Sequence, residues 1–134
     1  MKKIILLIIV TLNYGCSKVD CSKISFIDLN KRIIGLNGKP FSGKCEFLYE
    51  KGGIKSKREY LKGKYHGEWI FYYENGQIET QGQYIKGKKN GNWKYYYENG
   101  TIKQLSYYKN GEGVGAWKKF DKDGNLYWGK NWGK

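Results

Sequence analysis

The stretch at residues 67–76, GEWIFYYENG, decides the fold. Trp69, Phe71 and Tyr73 alternate with other residues, so they project from one face of an extended chain. The stretch ends in an Asn-Gly pair at 75–76, which is the strongest short-range signal for a type I′ hairpin turn. The stretch therefore predicts a β-strand that enters a two-residue turn and returns as a second strand.

The same pattern recurs every 24 residues, and the register needs no gaps. Copies follow at 91–100 and 115–124, and a weaker copy with Cys45 in the tryptophan position precedes at 43–52. The aligned tryptophans and turn glycines form a structural repeat ladder: Trp69, Trp93, Trp117, Gly76, Gly100 and Gly124. Repeat periods of this size indicate a stacked array in which each unit buries a face that it could not bury alone.

The repeats predict an all-β fold, an elongated single-layer antiparallel β-meander of tandem 24-residue hairpin repeats. The expected strand pairs are 44–50 with 54–61, 68–74 with 78–85, 92–98 with 102–109, and 116–120 with 125–132. The type I′ turn is expected at 75–76, 99–100 and 123–124. Turns between repeats are expected at 62–63, 86–87 and 110–111. No stretch after the first residues shows helical periodicity.

The unit G-x-W-x-x-Y-Y-x-x-N-G-x-I, joined by K-x-G-K-x-x-G, resembles the bacterial variant of the MORN repeat. The resemblance covers residues 40–134, with 32–42 as a weaker half-repeat. Proteins of this pattern are often labelled as antitoxin components of toxin–antitoxin systems, which implies an antitoxin or immunity protein as one function. MORN repeats have also been linked to phospholipid contact, which implies anionic lipid as a partner class.

The first residues predict a targeting segment rather than a part of the fold. Lys2 and Lys3 precede an apolar run at 4–12, which is far shorter than the roughly 20 residues that span a bilayer. The run is followed by Gly15 directly before Cys16, and this arrangement resembles a bacterial lipoprotein signal. The expected division of the chain is 1–15 signal peptide, 16–39 lipid-anchor tether with an N-terminal strand or cap, and 40–134 repeat domain.

Cleavage before Cys16 would leave a lipidated first residue. We therefore expect lipidation at Cys16 and a lipid-anchored protein of the bacterial cell envelope, at the outer membrane or the periplasmic face. An ordinary secretory signal, with a secreted product, is the alternative. Cys21 and Cys45 could pair in an oxidising compartment, but Cys45 occupies a tryptophan position and is expected to pack as a small apolar residue.

The chain is strongly basic, with a formal net charge of +13, but the charge is uneven. Residues 64–87 are slightly acidic, whereas 88–111 carry five lysines against a single glutamate. Such a patch fits an anionic partner such as membrane phosphate or an acidic protein. It also fits a solvated lysine-rich face that keeps an aromatic sheet soluble. Nucleic acid is not expected, because a secreted chain does not normally meet it and the aromatic residues hold structural positions.

No catalytic or metal-binding constellation is present in the sequence. His66 is the only histidine, and it lies in a connector where the other repeats have different residues. Glu50, Glu74 and Glu98 recur once per hairpin directly before a turn, which favours turn chemistry over an acid–base pair. Three cysteines and one histidine give no metal-ligand spacing. The sequence therefore predicts a protein that is not an enzyme and uses no cofactor.

Binding remains as the expected function, and the alternation of side chains along the strands predicts which face of the sheet binds. Tyr72, Tyr96 and Phe120 point to the face opposite the tryptophans, and Lys94 and Lys118 share that face. The chain is too short for a second layer to cover both faces, so some aromatic surface should stay exposed. These five residues form the candidate binding face, for a protein partner or scaffolded complex, or for anionic lipid or glycan.

The last repeat differs from the others. Lys119 and Asp121 replace two tyrosines, which puts charge on the final edge and is expected to oppose edge-to-edge aggregation. Trp128 and Trp132 are expected to cover the exposed end of the tryptophan ladder.

Overall fold

A computed structural model describes residues 21–133 of the chain. A short 3-10 helix at Cys21–Lys23 is followed by strands numbered in chain order: β1 Ile24–Asp28, β2 Ile33–Leu36, β3 Lys39–Pro40, β4 Gly43–Leu48, β5 Ile54–Leu61, β6 Lys64–Tyr72, β7 Ile78–Ile85, β8 Lys88–Tyr96, β9 Ile102–Lys109, β10 Glu112–Phe120 and β11 Leu126–Asn131. Within this part of the chain no helix is long and apolar enough to cross a membrane. The predicted signal peptide and Cys16 lie outside the described residues.

Strands β4 to β11 form one open sheet of eight strands, in which order along the chain equals order across the sheet. Each neighbouring pair is antiparallel, so the predicted all-β meander is confirmed. The long strands β6, β8 and β10 begin at Lys64, Lys88 and Glu112, earlier than the sequence predicted. The connector residues pair with the preceding strand as soon as the turn between repeats is complete, for example Lys64 with Leu61.

The type I′ turns occur between the repeats rather than within them. Lys62 and Gly63 have φ values of 49° and 75°, and residues 86–87 and 110–111 share this pair of positive angles. Positive φ at both central residues defines the type I′ turn, whose twist matches that of the strands it joins. The predicted positions of these inter-repeat turns are therefore correct. These turns have the type I′ geometry that the sequence predicted for the turns within repeats.

The turn within each repeat is of another kind, so the type I′ prediction at 75–76, 99–100 and 123–124 is wrong. Gly76 N donates to the Tyr73 carbonyl at 3.0 Å, and Tyr73 N donates to the Gln77 carbonyl at 2.8 Å. Gly76 has φ 84°, but Asn75 does not have positive φ. This is a three-residue loop ending in a left-handed glycine. Asn75 Oδ1 accepts from Gln77 N at 2.9 Å, a local bond that stabilises the alternative turn.

Each long strand contains a bulge at a glycine. Gly67 has φ 61°, and the register with β5 shifts there, because Arg58 pairs with Trp69 while Glu59 pairs with His66. Gly91 and Gly115 repeat the positive angle. Bulges sharpen the local twist and re-aim side chains. In each long strand the indole nitrogen of the tryptophan donates to a carbonyl on the preceding strand: Trp69 to Glu59 at 3.0 Å, Trp93 to Gln83 at 3.3 Å and Trp117 to Tyr107 at 3.2 Å.

The N-terminal strands β1, β2 and β3 form a separate three-stranded sheet, where the sequence predicted an irregular strand or cap. This small sheet docks on the array through Ile34 N, which donates to the Gly63 carbonyl at 2.8 Å. Gly63 N in turn donates to the Phe41 carbonyl at 2.7 Å. The second bond recurs one and two repeats later, from Gly87 to Tyr65 and from Gly111 to Lys89. The N-terminal residues thus continue the hydrogen-bond pattern of the array.

Cys21 and Cys45 form a disulfide, with their Cα atoms 5.6 Å apart. The expectation that Cys45 packs as an unbonded apolar residue is therefore wrong, although Cys45 is buried in the tryptophan position of its repeat. Cys21 lies 24 residues before Cys45, which is one repeat length, and the 3-10 helix places it beside β4. The disulfide closes the first end of the core, whose buried members are Cys21, Ile34, Phe41, Cys45, Tyr60 and Trp69.

Candidate binding face

One face of the sheet carries a continuous row of aromatic rings, which we call the aromatic ladder. Its rings come alternately from return strands and long strands, and the last ring directly follows β11: Tyr60, Trp69, Tyr84, Trp93, Tyr108, Trp117 and Trp132. Successive centroids lie 5.6, 4.9, 5.1, 6.3, 5.1 and 5.9 Å apart, mostly edge to face. Trp69 and Trp93 are only 4% and 2% exposed, so this single-layer sheet builds its core from its own rings.

The tyrosines of the ladder were missed at the sequence level as ladder members, although their 24-residue alignment was visible. Burial raises the pKa of Tyr84 and of Tyr95, which packs on Trp93, above the ordinary value. These phenols therefore stay neutral at physiological pH. The face offers stacking surface rather than acid–base groups.

Glycine is required where the ladder crosses β7. A Cβ atom on Gly82 would lie 2.2 Å from Cδ2 of Trp93, so the ring rests directly on the backbone. At the C-terminal end of the aromatic ladder, Trp132 packs against Trp117 as predicted. Trp128 instead packs with Lys119, whose Nζ lies 5.1 Å from the indole centroid.

Two cations of this face are already engaged by its rings. The Arg58 guanidinium lies 4.3 Å from the centroid of Phe47 and 5.2 Å from that of Phe71. Lys89 Nζ lies 4.1 Å from the centroid of Trp93 and donates to Tyr95 Oη at 2.9 Å. Cation–π contacts of this kind stabilise both partners. The cations of this face are therefore engaged by the aromatic ladder and its neighbouring rings, and no spacing in the sequence marked these pairs.

The candidate binding face lies on the opposite side of the same strands. Tyr72, Tyr96 and Phe120 are half-buried there, and Lys94 and Lys118 are exposed. Both lysines pair in register with Leu105 on the strand between them. Two strand spacings separate their Cα atoms, or about 10 Å. The structure thus brings the two predicted lysines into one row.

This row crosses the sheet at one register position: Glu46, Lys57, Ile70, Gln81, Lys94, Leu105, Lys118 and Gly129. At its first end Lys57 Nζ lies 3.5 Å from Glu46 Oε1, and beside it Lys44 Nζ lies 3.9 Å from Glu59 Oε2. Among the described residues, Lys94 and Lys118 form no ion pair. Positive charge is therefore neutralised at one end of the row and available at the other.

The backbone beneath the candidate binding face is fixed by a row of tyrosine hydroxyls. Tyr73, which follows β6 rather than joining the aromatic ladder, donates from Oη to the Tyr96 carbonyl at 2.8 Å. Tyr49 donates likewise to the Tyr72 carbonyl, and Tyr97 to the Phe120 carbonyl. Each of these bonds joins one repeat to the next. The three aromatic residues of the candidate face are thus held in place from the turn end of the array.

The last repeat has Asp121 where the others have this tyrosine, and the structure gives the reason. Within residues 21–133, no carbonyl of a further repeat lies beside this position to accept a hydrogen bond from a hydroxyl. Asp121 Oδ1 instead accepts from Asn125 N at 2.8 Å and from Asp123 N at 3.0 Å. The bonds with Asn125 hold the pKa of Asp121 below its ordinary value. Asp121, whose charge was predicted to oppose edge-to-edge aggregation, caps its own turn.

The described residues hold no cluster of three or more His, Cys, Asp and Glu side chains that could bind a metal ion. His66 lies within β6 rather than in a connector, and its Nδ1 is buried without a hydrogen-bond partner in this part of the chain. A lone buried nitrogen of this kind does not form a catalytic set.

The family model for the MORN repeat variant matches residues 65–86 and 89–110. The first match spans nearly all of β6 and β7, and the second spans nearly all of β8 and β9, so one family repeat corresponds to one long strand with its return strand. No curated protein matches the chain significantly. MORN repeats are generally protein-binding or membrane-binding modules and are not a known enzyme family. In these two hairpins the chain is similar to tandem MORN repeats.

Proposed function

We propose that this protein is a non-enzymatic, lipid-anchored protein of the cell envelope whose repeat sheet binds a protein partner or scaffolds a complex. The observation that supports this function is that the cations on the two faces of the sheet are engaged differently. Cations on the ladder face stack on its own rings, whereas Lys94 and Lys118 lie beside half-buried aromatic residues without an ion-pair partner among the described residues.

The candidate binding face has the composition of a recognition surface. Aromatic residues are enriched at the centres of protein interfaces, while charged groups at the rim steer the partner and fix its register. Tyr107, on the strand between the two lysines, is 42% exposed and adds a further ring to the same face. The preferred partner presents an apolar patch with an acidic rim.

The lipid anchor is inferred from the predicted signal peptide at 1–15. Cys16 and the apolar run before it support lipidation, and the disulfide is of a kind that persists in oxidising compartments such as the periplasm. Labelling with a palmitate analogue tests the anchor: the wild type should incorporate the label and fractionate with membranes. Equal labelling of the Cys16→Ser variant would refute lipidation at this residue.

The partner surface is tested with a photo-crosslinking amino acid placed at Tyr96 in living cells. The matched control carries the same amino acid at Gln104, which lies on the ladder face of the neighbouring strand, in register with Tyr95. We expect a discrete protein adduct from position 96 and none from position 104. Adducts of equal yield at both positions, or none at either, would contradict the assignment of the face.

A further inference from the structure

Asparagine followed by glycine is a chemically labile pair, and this chain contains five such pairs. They begin at Asn37, Asn75, Asn90, Asn99 and Asn110. The backbone nitrogen of the glycine can attack Cγ of the asparagine, because glycine has no side chain to obstruct the approach. The attack needs an unrestrained asparagine side chain, a glycine N–H that can lose its proton, and a main chain that is free to change conformation. The five pairs differ in these respects.

The pairs in two turns within repeats are held by hydrogen bonds at both reacting groups. Asn75 Oδ1 accepts from Gln77 N at 2.9 Å, and Asn75 Nδ2 donates to the Glu98 carbonyl at 3.0 Å. Gly76 N, the attacking atom, donates to a backbone carbonyl at 3.0 Å. The pair at 99–100 repeats all three bonds one repeat later. Both asparagines are therefore exposed to solvent but fixed in place.

The pair at 90–91 is constrained by the sheet. Asn90 is half-buried in β8, where it lies in register with Gln83 on β7. Ring closure at this pair requires the main chain to leave its strand conformation, and the pairing with β7 opposes that local opening.

Asn37 and Asn110 give the closest comparison, because both are exposed and begin the same kind of turn. Asn37 and Gly38 have φ values of 52° and 75°, and Asn110 and Gly111 have 53° and 90°. Gly111 N, however, donates to the Lys89 carbonyl at 2.8 Å. Within residues 21–133, neither Gly38 N nor the Asn37 side chain forms a hydrogen bond. The pair at 37–38 thus lacks the restraints that hold the other four.

We propose that Asn37 is a site of spontaneous deamidation, and that its conversion into isoaspartate loosens the N-terminal end of the aromatic ladder. Gly38 N loses its proton and forms a bond to Cγ of Asn37, while the bond from Cγ to Nδ2 breaks and that nitrogen takes up a proton and leaves as ammonia. Water then opens the succinimide. Opening at Cγ gives aspartate, and opening at the backbone carbonyl gives isoaspartate. The net change is the gain of water and the loss of ammonia.

Isoaspartate routes the main chain through Cγ and so adds a carbon atom to the turn between β2 and β3. This turn sets the register in which Leu36 pairs with Lys39. Phe41 directly follows β3, is 7% exposed, and has its ring centroid 5.8 Å from that of Tyr60. The Phe41 carbonyl also accepts from Gly63 N at 2.7 Å. A longer turn shifts the register of β3, and the fit of Phe41 against the aromatic ladder is lost with it.

The site is tested by incubating the folded wild type in mildly alkaline buffer and mapping its peptides by mass spectrometry, with fragmentation that separates aspartate from isoaspartate. The reference is the same chain unfolded in guanidinium chloride, where all five pairs should react at similar rates. In the folded protein, Asn75 and Asn99 should react at least roughly thirtyfold more slowly than Asn37, because two hydrogen bonds of ordinary strength correspond to that factor. A folded-state rate at Asn37 no higher than that at Asn110 would overturn the proposal.

The consequence is tested by the melting of aged protein. Asn37→Gly removes the reactive amide, and glycine accepts the positive φ at this position, so this variant is the control. Fresh Asn37→Asp carries the charge of the other product on a main chain of normal length. We expect a fraction of the aged wild type, equal to its isoaspartate content at position 37, to melt at a lower temperature, while both variants keep theirs. An unchanged melting curve despite isoaspartate at this position, or an equal loss in either variant, would refute the loosening.

Discussion

The two faces of the sheet carry aromatic residues at the same 24-residue period but use them differently. On the ladder face, rings from both strands of each hairpin contact one another, and Arg58 and Lys89 stack on them. On the candidate binding face, no such ring contacts join Tyr72, Tyr96 and Phe120 within residues 21–133. The bulges at the strand glycines account for part of this difference, because each bulge turns a tryptophan back over the preceding strand.

A single-layer sheet can therefore have a core on one side only. Burial on the ladder face comes from neighbours in the array, so each ring depends on the repeats beside it. The opposite face lacks such ring contacts within residues 21–133, so we expect it to contribute less to stability. Stability should therefore respond to substitutions on the ladder face, and binding should respond to substitutions on the other.

The largest effect on stability is expected from Trp93→Ala. Trp93 is 2% exposed, contacts Tyr84 and Tyr108, and lies under Lys89. Truncation of a buried aromatic residue costs about 3–5 kcal/mol, and here it also leaves the Gln83 carbonyl without its indole donor. Urea titration measures the free energy of unfolding. A loss similar to that of Tyr96→Ala would contradict the distinction between the faces.

Removing the disulfide should have the next largest effect. Cys21→Ser with Cys45→Ser opens a loop of 24 residues, which is expected to cost about 3 kcal/mol. Because the disulfide closes the first end of the ladder, the melting temperature should fall on reduction of the wild type as well. If reduction with dithiothreitol leaves the melting temperature of the wild type unchanged, the disulfide does not stabilise that end.

A substitution of the left-handed glycine in a turn within a repeat should destabilise the fold by a smaller amount. Gly76 has φ 84°, and no atom lies within 4 Å of the position of an added Cβ, so backbone strain alone sets the cost. Gly76→Val should destabilise the fold by about 1–2 kcal/mol. Gly76→Asn should lose less, because asparagine tolerates left-handed backbone. Equal losses for the two variants, measured by thermal unfolding, would argue against a left-handed residue at this position.

The smallest effect is expected from acid. The pKa of Asp121 is lowered in the folded protein by its bonds with Asn125, so this carboxylate stabilises the fold above its unfolded pKa of about 3.9. That contribution is lost as the pH falls through the lower folded pKa. Asp121→Asn should therefore flatten the pH dependence of the melting temperature below about pH 4. A steeper acid dependence in the variant would contradict the role of this carboxylate in capping the turn.

Much of the fold was predictable because the repeat is regular. The 24-residue period placed the strands, the turns between them and the tryptophans, and strand alternation separated Lys94 from Trp93. The separation of Cys21 and Cys45 by one repeat length was an indication of the disulfide. The tryptophan position of Cys45, however, favoured the prediction that this residue packs without a covalent bond.

Other features depend on geometry that spacing does not encode. An Asn-Gly pair serves both a two-residue turn and a three-residue loop, and the side-chain bond from Asn75 to Gln77 decides between them. The contact of Arg58 with Phe47 depends on a long side chain lying across neighbouring strands. The edge on which the β1–β2 hairpin docks follows from tertiary bonds such as that between Ile34 and Gly63.

The division between a ladder face for stability and an opposite face for binding is tested most directly by one paired measurement. Tyr72→Ala with Tyr96→Ala is compared with Trp93→Ala, and both the melting temperature and crosslinking from a probe at Tyr107, on the candidate face, are recorded. We expect the tyrosine pair to lose the crosslink while its melting temperature falls less than that of Trp93→Ala. A tyrosine pair that is as destabilised as Trp93→Ala, with its crosslink retained in the folded fraction, would contradict it.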